Sequence, residues 1–89
     1  VAGYSIRIKP SAAKEVDAIE PKKLRRQIVA RIRQLAIEPR PRGCEKLADR
    51  SNRHRVRQGP YRIVYSIADD ERIVVIFKVG HRSEVYRDR

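Results

Sequence analysis

Apolar and polar residues alternate at the start of the chain, with Tyr4, Ile6 and Ile8 on one face and Ser5, Arg7 and Lys9 on the other. That period of two predicts a half-buried strand over residues 2–8. Lys9-Pro10 ends it, and the spacing then becomes helical. Ser11 offers an N-cap hydroxyl, and Ala12, Val16 and Ile19 recur on one side, so a short amphipathic helix is expected over about residues 11–19. Glu20-Pro21 interrupts this pattern, and because proline is tolerated in a first helical turn, Pro21 is read as opening a second helix that runs to about Glu38. Its stripe is Leu24, Ile28, Ile32, Leu35 and Ala36, with Lys22, Lys23, Arg25, Arg26, Arg31 and Arg33 mostly off it. Two helices with almost no loop between them predict an antiparallel hairpin on one side of a sheet.

Pro39-Arg40-Pro41-Arg42-Gly43 reads as a short, stiff basic connection, and residues 45–52 as a weakly patterned edge or loop around Leu47. Three strands are then expected: 53–58, 61–67 after a turn at Gly59-Pro60, and 72–79 after an acidic turn at Asp69-Asp70-Glu71. Short turns make them an antiparallel meander. In the last strand both alternating sets are apolar, Ile73, Val75, Phe77 and Val79 against Val74 and Ile76, which predicts the most buried, central strand. The fold class is therefore α+β: an N-terminal strand, an antiparallel helix hairpin and a three-stranded meander in one sheet, forming a single domain over residues 1–89.

Composition narrows the function. The chain carries 22 Lys and Arg against 11 Asp and Glu, a net charge of +11, the footprint of a protein that works against nucleic acid or another acidic partner. No apolar run approaches the ~20 residues of a membrane span and no signal-peptide pattern opens the chain, so a cytoplasmic protein with no membrane partner is expected. Cys44 is the only cysteine, which excludes an internal disulfide. His54 and His81 have no clustered ligand spacing around them, so no metal and no cofactor are expected.

The chemistry concentrates on the first meander strand. Alternation projects Arg53, Arg55 and Arg57 on one face and His54 on the other. A row of guanidinium groups repels itself, and a polyanion laid across it is the usual compensation. The competing interpretation is a solvated edge strand whose charges prevent edge-to-edge pairing. Six cations with no acid between Lys22 and Arg33 add a second basic surface. Gly80 lets the chain bend after the last strand, bringing His81, Arg82 and Tyr86 towards the basic strand surface.

The element order, together with Arg-Val-Arg-Gln-Gly-Pro-Tyr-Arg-Ile-Val-Tyr-Ser-Ile, Ile-Val-Val-Ile-Phe-Lys-Val-Gly-His-Arg and Glu-Val-Tyr-Arg, resembles the RelE toxins of the RelE/ParE superfamily over nearly the whole chain. The resemblance implies a toxin of a type II toxin-antitoxin system that enters the ribosomal A site and cuts mRNA there without a metal. It further implies that the RNA's own 2′-hydroxyl attacks the adjacent phosphate, leaving a 2′,3′-cyclic phosphate and a free 5′-hydroxyl on the next nucleotide. It also implies a RelB-like antitoxin, the ribosome and mRNA as partners.

Carried over by motif, Arg62 and Arg82 match the family's phosphate-clamping arginines, and Tyr86 matches the C-terminal tyrosine implicated in catalysis and base stacking. Arg53 and Arg55 fall where the best-known members carry lysines proposed for proton transfer. An arginine holds its proton too tightly for that, so both are assigned to charge stabilisation. An imidazole exchanges protons near neutrality, which makes His81 the expected acid or base. The expected catalytic set is Arg55, Arg62, His81, Arg82 and Tyr86, with Arg53, Arg57, Lys22, Lys23, Arg25 and Arg26 binding RNA. Two alternatives stand beside it: a ParE-like gyrase inhibitor on the same fold, and an RNA- or ribosome-binding module with no catalysis.

Overall fold

The computed structural model describes residues 3–47 and 52–81. Its elements are β1 (Ser5–Ile8), α1 (Pro10–Asp17), α2 (Lys22–Gln34), β2 (Glu45–Lys46), β3 (Arg53–Gln58), β4 (Tyr61–Ala68) and β5 (Ile73–His81). They build one five-stranded sheet in the order β1-β5-β4-β3-β2. β3, β4 and β5 form the expected antiparallel meander. β1 pairs in parallel with β5 across the helix crossover, Ser5 opposite Ile73 and Ile8 opposite Ile76. The weakly patterned segment supplies a two-residue edge strand, with Glu45 opposite Arg55 and Lys46 opposite His54.

Both helices start and stop differently from the sequence pattern. α1 begins at Pro10, with extended Lys9 at the N-cap and no side-chain cap: a proline at the first helical position already has the required φ and has no N–H to satisfy, and the Ala13 N–H donates to the Lys9 carbonyl at 2.9 Å. Pro21 is itself the N-cap of α2. α2 ends four residues before Glu38: from Leu35 the backbone bonds tighten to a three-residue span, Leu35 to Ile32, Ala36 to Arg33 and Ile37 to Gln34. The apolar stripe continues through that turn, which is why periodicity alone extends the helix.

The core lies between the helix layer and one face of the sheet. Ala12 and Val16 of α1, Ile19, and Ile28, Ile32 and Leu35 of the α2 segment pack on Val56, Ile63, Tyr65, Ile67, Val74, Ile76 and Val79. Burying each of these larger side chains contributes about 1.5–3 kcal/mol before chain entropy is set against it. Tyr65 enters this core without an unpaired hydroxyl, since it donates to the Pro39 carbonyl at 2.7 Å.

β5 is an interior strand, but β4 occupies the middle of the sheet. The second apolar set of β5 is only half-buried at Ile73, Val75 and Phe77, because neither described helix covers that face. Val79 does not belong to it. A bulge pairs Val64 with Lys78 and Tyr65 with Ile76, leaving Phe77 as an extra residue, and the alternation beyond it is reversed. Val79 thereby joins Val74 and Ile76 in the core.

Candidate functional site

The β3–β4 hairpin turns through Gly59 and Pro60. Its first loop position has a φ of 60°, which glycine adopts freely, and this fixes the register that sets Arg57 opposite Arg62. Directly opposed like charges destabilise a strand pair. Their alternation, together with that of Arg55, carries all three guanidinium groups to the sheet face away from the helices, since Val56 and Ile63 between them are buried in the core. With Gly43 and Glu45 they line an open cleft of about 230 Å³.

Glu45 was not indicated by the sequence. It lies in an unpatterned segment, and only the pairing of β2 with β3 sets it across from Arg55. Its Oε1 accepts from Arg55 Nε at 3.2 Å and from a terminal Arg55 nitrogen at 2.5 Å. This bond and the Arg55 charge, with further attraction from Arg62 and Arg57, hold the Glu45 carboxyl below the usual carboxylate range. The acidic turn stands at the other end of β4. There Asp69 accepts from Tyr4 Oη at 2.8 Å and from two Arg40 nitrogens at 3.2 and 2.9 Å.

The expected site residues separate in space. Arg55, Arg57 and Arg62 share the cleft. Arg53 turns instead over the Phe77 ring, its guanidinium 4.3 Å from the centroid, where the bulge has presented that ring. His81 pairs across from Tyr61 and meets it edge-on at 5.9 Å, so it shares the end of the sheet with Arg62 while Arg62 itself pairs with Gly80. Tyr61 packs against the core, which puts His81 on the helix side by alternation. Lys22, Lys23, Arg25 and Arg26 lie in the first turns of α2, in the layer on the other side of the sheet from the cleft. Arg25 also donates to the Asp17 carbonyl at 3.4 Å, across the helix hairpin. Arg82 and Tyr86 lie outside the described residues.

Two further titratable groups are structural. His54 is buried and stacked on Tyr65 with ring centroids 5.8 Å apart, and burial pushes its imidazole below the ordinary value. Burial likewise pushes the Tyr65 phenol far up. Among the described residues no group of three or more His, Cys, Asp or Glu side chains could hold a metal ion, and no helix is long and apolar enough to cross a membrane. What the cleft can do chemically is bind an anion: three arginines present forked donors suited to phosphate oxygens and to the charge that develops on a phosphorane.

Comparison with known proteins agrees with this fold. The chain is 29% identical over 84 residues to Toxin RelG of Mycobacterium tuberculosis, covering 94% of this chain and 97% of that one. Its structure resembles the toxin-antitoxin complex RelBE2 from Mycobacterium tuberculosis (TM-score 0.77, 28% identity, 90% of this chain and 99% of that one). It also resembles the archaeal RelE-RelB complex from Pyrococcus horikoshii (TM-score 0.78, 27% identity, 89% and 94%). For the isolated Escherichia coli RelE toxin the TM-score is 0.75 at 26% identity, over 96% and 93% of the two chains. The sequence profile of the ParE toxin of type II toxin-antitoxin systems matches residues 6–86, so this α+β chain belongs to that family, within the RelE/ParE toxin superfamily.

Proposed function

We propose that this toxin is an endoribonuclease that cuts mRNA in the ribosomal A site and so stops translation. The observation that carries this is the cleft itself, in which Arg55, Arg57 and Arg62 converge on one sheet face at the end away from the acidic turn. The RNA 2′-hydroxyl loses its proton and attacks the adjacent phosphate, and the bond to the 5′-oxygen of the next nucleotide breaks as that oxygen takes up a proton. The arginines stabilise the charge that builds on the phosphorane, and the products are a 2′,3′-cyclic phosphate and a free 5′-hydroxyl. Arg82 and Tyr86 complete the clamp and stack a base. His81 sits on the helix side of the same sheet end, opposite Tyr61, and is assigned the proton transfer on condition that the RNA reaches it around that end. Arg53, Lys22, Lys23, Arg25 and Arg26 hold more distant RNA through charge, with a strength that falls as salt rises. The protein acts in the cytoplasm, where ribosomes are. No cofactor enters the scheme.

A RelB-like antitoxin is the proposed regulator, supported by the structural neighbours that are complexes with RelB antitoxins. Primer extension on mRNA in a translation reaction tests the activity. Cuts that appear only with protein and ribosomes together are expected. Uncut message with blocked DNA gyrase would establish the ParE-like alternative, for which the family match speaks. Ribosome binding with neither effect would leave a non-catalytic module.

A further inference from the structure

Glu45 reaches the cations from a minimal support. β2 has two residues and forms one edge of the sheet. The Arg55 side chain is 20% exposed, whereas that of Glu45 is 64% exposed, so the guanidinium is anchored and the carboxylate is its solvent-facing partner. Two donors of one guanidinium converge on a single carboxylate oxygen. A phosphate oxygen is bound by the same forked donors, and an incoming phosphodiester therefore competes with Glu45 for Arg55. Ion pairs exposed in this way contribute little net stability, so a ligand already held by other contacts can displace the carboxylate. A ligand held by nothing else loses affinity to it.

We propose that Glu45 is a built-in occupant of the arginine cleft that substrate phosphate must displace, making it a residue that discriminates against free RNA and other loose polyanions. Such a repulsive element gives selectivity by weakening the wrong complexes more than the right one. RNA presented by a ribosome arrives with many further contacts and recovers Arg55, while an isolated strand in solution faces a cleft in which Arg55 is already engaged by Glu45. The inference rests on the cleft accepting RNA phosphate.

The test is fluorescence anisotropy with a labelled single-stranded oligodeoxynucleotide, which lacks the 2′-hydroxyl and cannot be cut, across a salt series without ribosomes. Glu45→Gln should bind about five- to tenfold more tightly than the unmodified protein, with a salt slope steeper by about 0.7, the increment for one additional phosphate contact on a single strand. Glu45→Asp keeps the charge but shortens the reach, and should tighten binding by about two- to threefold. This second variant decides the matter if thermal unfolding shows that Glu45→Gln is not folded. Unchanged or weaker binding with an unchanged slope overturns the proposal, and a carboxylate that served only as a proton acceptor would give that result together with slowed cleavage. Arg62→Ala separates the two levels. If it does not weaken oligonucleotide binding, the cleft is not the RNA site and the proposed function falls too; if it does while Glu45→Gln changes nothing, displacement of Glu45 alone is refuted.

Discussion

The two ends of β4 solve the same electrostatic problem in opposite ways. At its C-terminal end Asp69 gathers Tyr4 and Arg40, tying β1, the proline-rich connection and the β4–β5 turn together with charges matched. At its N-terminal end Arg62 faces Arg57, Arg55 lies close by, and the described lining supplies one carboxylate, Glu45, to three guanidiniums. The first arrangement is complete within the chain. The second gathers three guanidiniums on a face that no described helix covers, and a ligand that supplies negative charge suits such a cluster. The difference teaches that arginine content alone does not mark a site: Arg40 is paired within a structural tie, whereas Arg55, Arg57 and Arg62 line one cleft, which is what makes them the candidates for phosphate binding.

Substitutions should break this contrast in a graded way. Arg62→Ala is expected to lower the single-turnover rate of ribosome-dependent cleavage by about 100- to 1000-fold, the usual loss for one preorganised donor, with the thermal midpoint nearly unchanged. A near-normal rate would remove the cleft from the mechanism. Its neighbour Ile63, fully buried on the other face, should behave inversely: Ile63→Ala costs about 2–5 kcal/mol in denaturant unfolding, while the folded fraction cuts normally. His81→Gln keeps hydrogen bonding but cannot titrate, and should slow cleavage by about 100-fold and flatten its pH dependence. A normal rate there would leave His81 with its contact to Tyr61 and no role in the chemistry.

Smaller effects sharpen the structural end. Burial depresses the His54 imidazole in the folded state, so below about pH 6.5 the unfolded chain takes up a proton that the folded chain refuses. Stability should therefore decline as pH falls from there through the lower folded-state value. His54→Phe, which keeps a ring against Tyr65, should remove that part of the decline in urea titrations at successive pH values. Asp69→Asn should lower the thermal midpoint slightly and leave cleavage untouched; loss of activity would show that the matched end also serves the site.

Residue pattern alone determined the type and order of every element but β2, and the arginine face of β3. Those depend on local periodicity: a period of two for Arg53–Gln58 and a spacing of three to four for Ile28, Ile32 and Leu35 are written into consecutive positions. The family resemblance was legible for the same reason, because its motifs are runs of consecutive residues. Tertiary pairing decided the rest. Nothing local brings Glu45 to Arg55, since that contact follows from the register of a two-residue strand against β3. Strict alternation from Ile73 would set His81 with the arginines, but one extra residue at Phe77 moves it to the helix side and presents that ring to Arg53. A bulge costs no change in composition and leaves no mark on hydrophobic periodicity when both sets are apolar, so its position is fixed only when β4 and β5 are zipped together.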